Sequence, residues 1–525
     1  MTKQPFYITT AISYVNAPPH IGHAYEVIGA DVMARFKRLD GFDVYFLTGT
    51  DEHGQKVQKM AQSKDKTPQA FCDEIASTFQ DMADYLNISN DQFIRTTQEF
   101  HKQTCRAVWE KLTAAGDIYL NKYAGWYSVR DEAYYGEDEL TTREDGKKIC
   151  TATGTEVEWI EEESYFFKLS AYEQKLLDLY ESQPDFIQPS FRRNEVTSFV
   201  KQGLKDLSIS RTSFDWGIKV PGDEKHVMYV WVDALINYIS ALGYPDDKDG
   251  LMKKYWPCDV HLIGKDIVRF HAIYWPAILM SLGMPLPKRV FGHGFLLTGG
   301  NKMSKSLGNV ISPRALVDKF GADASRYALM REVTFGQDGD ISWPLMTARI
   351  NAELANNIGN LVQRTLSQIN KNCDGKVPQP GILEDVDHAL LNHAGQEMLI
   401  NVRGEFEKLQ FSRALEEIVR IANAANAYID EQAPWTLKKT DPARMQTVLY
   451  VLAEAIRNLG LILQPFVPVA ANRILDQVAV AADARDFIYI GAQHALQPGT
   501  ALPKPEGVFP RIVEEEAEAA QEKTA

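Results

Sequence analysis

The chain has no excess of positive charge: 56 Lys and Arg stand against 70 Asp and Glu, for a net charge of -14. That excludes indiscriminate binding to polyanions, because phosphate contacts release counterions only where Lys and Arg cluster. A nucleic-acid partner must therefore use a confined basic surface. Cysteine is scarce, with five residues (Cys72, Cys105, Cys150, Cys258 and Cys373) in 525 and no CxxC, which excludes a disulfide framework and fits a reducing compartment. Long apolar runs are missing as well. "HAIYWPAILMSLGMPL" is short and broken by prolines, and "MTKQPFYITT" has neither the basic flank nor the apolar run of a signal peptide. A soluble cytoplasmic protein with no membrane partner is expected. There is no repeat of fixed period, no heptad pattern, no GxxxxGK[ST] and no GxGxxG behind a strand.

What is present is length and alternation of pattern. At 525 residues the chain exceeds one ordinary domain, and two to four are expected. "FYITTAISYV" is rich in β-branched and aromatic residues and reads as a strand. After "NAPPHIG" the residues Ala24, Ile28, Val32, Phe36 and Leu39 recur at helical spacing, and Val44 to Leu47 forms a second buried strand before "TGTDEHG". Strand, loop, helix and strand make one βαβ unit with a right-handed crossover.

The expected fold class is α/β, a doubly wound parallel-sheet (Rossmann-like) catalytic domain with a small inserted domain, followed by an all-α helical bundle. Residues 1–116 hold the first half of the catalytic domain, 117–215 a turn-rich insert, and 216–295 the second half. The "KMSKS" loop and an adjoining contact region fill 296–347, a helical domain 348–512, and an acidic disordered tail 513–525.

Two motifs suggest a site. "APPHIGH" places His20 ahead of a helix N-terminus and His23 in its first turn, where free N–H groups and a partial positive charge favour phosphate. Gly22 between them leaves room for a flat base. "GGNKMSKSLGNV" sets Lys302 and Lys305 three apart, with Ser304 between them and glycines on both sides, as a mobile polar loop able to swing onto a charged ligand. Either motif alone is weak, since HxxH pairs are common and charged runs are usually solvated faces.

Together, and in this order, HIGH and KMSKS resemble the paired signature of the class I aminoacyl-tRNA synthetases. The resemblance implies that His20, Gly22, His23, Lys302, Ser304 and Lys305 bind ATP, brought in with Mg2+, and that the imidazoles and ammonium groups stabilise its reacting phosphates. Class I enzymes for Leu, Ile and Val insert a large editing domain, because one methylene discriminates by only about 1–3 kcal/mol. The insert here is too small for that.

"TAISYVNAPPHIGH", "GTDEHG", "YVWVDALINYIS", "IGKDIVRFHAIYWPA" and "KMSKSLGNVI" are similar to blocks of the methionine-specific branch. By this resemblance Ala11, Ile12, Tyr14, Trp231, Ala234, Tyr238, Ile267 and His271 line a methionine pocket, and Asp51 takes the substrate ammonium group. Arg211 in "SISRTSF" matches an arginine near the ATP phosphates. Asn360, Arg364 and Trp435 match readers of a CAU anticodon, by bonds to base edges and by stacking. Expected partners are L-methionine, ATP and tRNA(Met), including initiator tRNA, with no DNA. The C-terminal dimerisation domain of some relatives is not seen, and a monomer is expected.

Many members of this branch hold zinc on CxxC knuckles in the insert. Here the matching positions are Ser128, Asp131, Cys150 and Thr153, a set that cannot make a Cys-rich tetrahedron. No structural zinc is expected, Cys150 reads as a buried remnant, and the insert is expected to be held by packing alone. The rival readings are a class I synthetase for another amino acid, a HIGH-type nucleotidyltransferase, and a catalytically silent tRNA-binding descendant. Truncation near residue 350 is expected to discriminate: a nucleotidyltransferase keeps its overall reaction, whereas a synthetase loses charging of tRNA.

Overall fold

The computed structural model describes residues 3–131, 133–302 and 311–513. The aromatic and β-branched run near the start forms β1 (Pro5–Thr10), breaks at Ala11 and Ile12, and resumes as β2 (Ser13–Tyr14). The helical spacing that follows is α1 (Ile21–Leu39), and β3 (Asp43–Asp51) runs four residues further than its apolar core suggests. β4 (Gln92–Arg95), α2 (Glu99–Ala114), β5 (Ile187–Gln188), α3 (Val230–Ser240), β6 (Val260–Gly264) and β7 (Val290–His293) complete the catalytic body.

The sheet is parallel, in the order β5-β7-β6-β1-β3-β2, with β4 also paired to β3. The chain builds outward from β1 to β3 on one side and later to β6 on the other. The crevice at the carboxyl end of β1 is therefore the topological switch point, where such sheets bind ligands. The sheet also corrects one boundary. Ile187–Gln188 falls inside the range 117–215 yet pairs with Val290 and Phe291 in the catalytic sheet. Two residues are too short to show a strand period in sequence.

The insert proper is an antiparallel sheet in which Ile118–Ser128 pairs with Glu158–Phe167 along most of both strands. At its turn-rich end Cys150 is buried, as expected, but packing alone does not hold this region. Asp131 accepts hydrogen bonds from the hydroxyls of Thr153 (2.7 Å), Tyr135 (3.0 Å) and Thr155. The backbone N–H of Asp131 donates to Ser128 Oγ at 3.1 Å. Burial would raise the Asp131 carboxyl, and these hydroxyl donors outweigh it and hold the group below the usual carboxylate range. An oxygen already used by three hydroxyls is not a zinc ligand set.

Beyond β7 a hairpin forms from β8 (Leu296–Thr298) and β9 (Asn301–Lys302). A short strand, Gly339–Asp340, pairs in parallel with β8, and most of the rest is helical: α4 (Ala322–Glu332), a continuous run from Trp343 whose middle, Ile350–Gly359, is π-wound, then α5 (Asn360–Asn372), α6 (Met398–Glu407), α7 (Phe411–Gln432), α8 (Pro434–Thr440) and α9 (Pro442–Leu463). α9 is long and apolar enough to cross a membrane, and it is almost entirely buried within the bundle.

Sheet and bundle do not form separate cores. Phe36 of α1 stacks on Phe406 of α6 with ring centroids 3.7 Å apart, and one continuous hydrophobic cluster runs from β1 to α9.

Candidate active site

The two HIGH imidazoles cap the helix they introduce. His20 is the N-cap of α1, and its Nδ1 accepts from the Gly22 N–H at 3.0 Å, while His23 Nδ1 accepts from the His20 N–H at 3.1 Å. The rings stack with centroids 3.8 Å apart. With each Nδ1 used as an acceptor, the proton of each neutral ring sits on Nε2. Burial, then the neighbouring His20 and His293 rings, push the His23 pKa well below the usual histidine value, so it is neutral at pH 7. Gly22 has a reason more immediate than room for a base: a Cβ there would lie 2.8 Å from the His20 ring.

Behind this pair, Glu26 Oε2 lies 2.9 Å from His293 Nε2 at the end of β7, so α1 is tied to the strand that leads into the hairpin. Burial lowers His293, but the hydrogen bond and charge of Glu26 outweigh it and raise the imidazole above its usual value. Gly299 and Gly300, with φ of 59° and 75°, form the hairpin turn between Thr298 and Asn301. They are turn residues requiring positive φ. The turn brings the backbone of Lys302 opposite Leu297. Ser304 and Lys305 lie outside the described residues.

The expected methionine-pocket residues converge. Ala11, Ile12, Tyr14, Trp231 and Ile267 are partly buried against the core cluster that contains Tyr238, and Ala234 is buried one turn from Tyr238 on α3. Tyr14 pairs with Asp51 across β2 and β3, at the carboxyl edge of the sheet. Trp231 stacks on Phe270 at 3.7 Å, and His271 begins the second position of a π-wound turn, Phe270–Tyr274. His271 Nδ1 lies 3.0 Å from the Ile267 carbonyl and Nε2 lies 2.6 Å from Tyr238 Oη. The carbonyl can only accept, so Nδ1 carries the proton and the Tyr238 hydroxyl donates to Nε2. Arg211 lies on the short strand Ser210–Arg211. Its guanidinium is buried, donates to Ser208 Oγ (2.9 Å) and the Ser210 carbonyl (2.6 Å), and lies 4.5 Å from the centroid of the Tyr229 ring.

Burial holds His271 down to about 4, the bond to Ile267 opposing only part of this, and His261 is also pushed well below the usual range by burial and by its neighbour His271. Both pKa values are depressed by folding. As pH falls from about 6.5 to 4, the unfolded chain takes up protons that the folded chain refuses, and stability is lost. The His271 share alone reaches about 3 kcal/mol by pH 4, with the upward-shifted Glu26 and His293 offsetting a part. Urea unfolding midpoints are expected to drop steadily over that interval, and a flat profile would mean that these imidazoles are solvated.

On the helical side, Asn360 is exposed and Arg364 follows one turn later on α5. Arg364 Nη2 pairs with Asp430 at 2.5 Å and lies 5.6 Å from the centroid of the Trp435 ring. Trp435 is 43% exposed, which decides against its being a core residue.

The comparisons agree with this geometry. A family model described as "tRNA synthetases class I (M)" matches residues 6–366, and one described as "Anticodon binding domain of methionyl tRNA ligase" matches residues 377–525. The methionine–tRNA ligase of Brucella suis biovar 1 is 58% identical over 514 residues, covering 98% of this chain and 99% of the relative. The chain belongs to the methionyl-tRNA synthetase family.

Among solved structures, the Mycobacterium tuberculosis methionyl-tRNA synthetase in complex with methionyl-adenylate is 53% identical, with a TM-score of 0.94 covering 97% of this chain and 100% of that one. The free-state form of the same enzyme is 50% identical, with a TM-score of 0.89 and coverage of 98% and 99%. Within this methionyl-tRNA synthetase fold, sequence reasoning missed Glu26, His293, Phe270 and the Glu52–Arg95 pair (2.6 Å) beside Asp51. "HIGHAYE" and "DEHG" place Glu26 and Glu52 next to recognised residues, but their partners are remote in sequence and carry no local pattern.

Proposed function

We propose that this member of the family activates L-methionine with ATP to methionyl-adenylate and pyrophosphate, then transfers the methionyl group to the 3′ end of tRNA(Met). The observation that carries this reading is the pair of Nε2–H imidazoles at the start of α1, behind β1 and β2, with Tyr14 and Asp51 paired at the carboxyl edge of the same sheet.

The methionine carboxylate attacks the α-phosphorus in line, a P–O bond to the β-phosphate breaks, and pyrophosphate leaves. His20 and His23 donate Nε2–H to oxygens that gain charge as this happens, and Lys302 and Lys305 neutralise the departing pyrophosphate. This is positioning and electrostatic work rather than covalent catalysis. Arg211, anchored through Nη1 to Ser208 Oγ and the Ser210 carbonyl, joins them at the phosphates. Asp51 takes the substrate ammonium group.

Mg2+ enters with the triphosphate and is held chiefly by its oxygens, with few protein ligands. Among the described residues the one cluster of three candidate metal ligands, His101, Cys105 and Asp233, is a nitrogen- and sulfur-bearing set that does not suit it.

Specificity for methionine follows from a pocket whose polar groups are already paired. With the Tyr238 hydroxyl given to His271, and the other His271 nitrogen given to Ile267, an apolar thioether is accommodated, whereas a substrate hydroxyl or amide would be buried without a full set of partners. Asn360, Arg364 and Trp435 read the anticodon of initiator and elongator tRNA(Met). The enzyme works as a monomer in the cytoplasm, a setting that suits five free cysteines.

The test is ATP–pyrophosphate exchange with each standard amino acid in turn. Methionine is expected to be preferred strongly over all others, and a preference for any other amino acid overturns the assignment.

A further inference from the structure

Asp233 takes part in none of the steps above, yet it is buried on α3 between Trp231 and Ala234. Its two oxygens are bound by imidazoles from different elements: Oδ2 lies 2.6 Å from Nδ1 of His53, and Oδ1 lies 2.7 Å from Nε2 of His101 on α2. His101 Nδ1 lies 2.7 Å from Ser240 Oγ, two turns along α3, so α2 is pinned to that helix at both ends of this stretch. Burial would raise the Asp233 carboxyl, but the charge and hydrogen bonds of the two imidazoles hold it down to about 2.

With Cys105 Sγ 3.3 Å from His101 Nε2, the group offers nitrogen, sulfur and oxygen, and a metal is the first idea it raises. The distances refuse it. A separation of 2.7 Å is a hydrogen bond, whereas two ligands on tetrahedral zinc, with bonds of about 2.0–2.1 Å, stand roughly 3.3 Å apart. Burial also pushes the Cys105 thiol far from its thiolate form.

What the network joins is more informative. His53 follows Asp51 by two residues, just past the end of β3. Between them Glu52 is held by Arg95 of β4, through Nε at 2.6 Å and Nη2 at 3.0 Å, a clamp within the same half of the sheet. The His53 clamp instead reaches across to α3, the helix that carries Trp231, Ala234 and Tyr238. The ammonium-binding loop and the side-chain pocket come from chain segments about 180 residues apart, and the His53–Asp233 bond ties them at |i−j| = 180.

We propose that Asp233 is a positioning residue for substrate binding, which uses His53 and His101 to hold the Asp51 carboxylate in register with the walls of the methionine pocket. This rests on the reading of Asp51 as the ammonium site. A carboxylate satisfied on both oxygens, with the His101 imidazole oriented by a further bond to Ser240, suits such a role, because small errors of placement at a charged contact cost affinity steeply.

The full-length chain is assayed by ATP–pyrophosphate exchange as Asp233→Asn, His101→Leu, His101→Gln and Asp51→Ala. Two inhibitors competing with methionine separate the effects: methioninol keeps the ammonium group, and 4-(methylthio)butanoate lacks it. Asp233→Asn and His101→Leu are expected to raise KM for methionine and Ki for methioninol about tenfold or more, with KM for ATP and Ki for the butanoate held within about twofold. His101→Gln, whose side-chain amide can donate from the Nε2 position, is expected to recover most of the loss. Where Asp233→Asn does not yield folded protein, the His101 pair carries the test. Equal rises for both inhibitors, or no rise for either, overturn the proposal. If Asp51→Ala leaves the Ki of methioninol unchanged, the ammonium reading itself fails and takes the proposal with it. If Asp51→Ala raises that Ki while the His101 and Asp233 variants do not, only the positioning role fails.

Discussion

His23→Ala is expected to slow adenylate formation by about 100-fold or more, the scale on which enzymes lose rate when one donor to a developing oxyanion is removed. The reason lies in how the imidazole is held. Its Nδ1 is occupied by the His20 backbone N–H, its ring is stacked on His20, and its neutral form is favoured by burial, so what it offers the crevice is a fixed Nε2–H. A donor held in place before the reaction needs no reorganisation when the α-phosphate becomes pentavalent, and its contribution therefore appears in the rate of the chemical step. The same bond caps α1, so the variant also loses a cap of about 1 kcal/mol. The two effects separate cleanly. Single-turnover formation of methionyl-adenylate should fall by orders of magnitude while the thermal midpoint falls by a few degrees and KM for methionine stays near that of the parent. A rate within threefold of the parent would remove His23 from the mechanism.

The contrast between such residues and those that support them explains what could be read in the sequence. The βαβ start was legible because its signals are local: a β-branched run, a switch to helical period at Ala24, and a second apolar strand at Val44. His20, His23, Tyr14 and Asp51 lie within a few residues of those elements, so their convergence followed from topology alone. The Glu26–His293, Glu52–Arg95 and His53–Asp233–His101 contacts join residues 43 to 267 positions apart, and no spacing rule reaches them. The insert misled in another way. Losing the thiolates of a metal knuckle suggested packing as the substitute, whereas Asp131 gathers hydroxyls from Tyr135, Thr153 and Thr155, side chains that read as ordinary turn polarity. The domain boundary near residue 350 was legible as a change of period but not as a mechanical fact. Since α1 stacks Phe36 on Phe406, cutting the chain there would expose the catalytic core instead of releasing an independent catalytic half.

That shared core makes a second large effect predictable. Arg326 on α4 is wholly buried, and its Nη2 pairs with the equally buried Asp31 of α1 at 2.7 Å and donates to the Pro465 carbonyl at 2.8 Å, while Nε and Nη1 donate to the carbonyls of Phe466 (3.1 Å) and Leu86 (3.2 Å). One side chain thus ties the helix that begins at His20 to the turn that ends the long buried helix α9. Arg326→Met keeps much of the volume but strands a buried carboxylate and several carbonyls, and removal of one partner of such a pair costs about 3–5 kcal/mol. Asp31 retains Arg35 at 2.7 Å and the Ser89 N–H at 2.6 Å, which places the expected loss toward the lower end of that range. Chemical denaturation should show it as a lower midpoint with an unchanged slope. The double variant Asp31→Leu, Arg326→Met should then be less destabilised than the sum of the two single changes, because each single change leaves a charge that the double variant no longer buries. Additive losses would mean that the two residues act independently, and that α1 is held to the bundle by its aromatic contacts rather than by this ion pair.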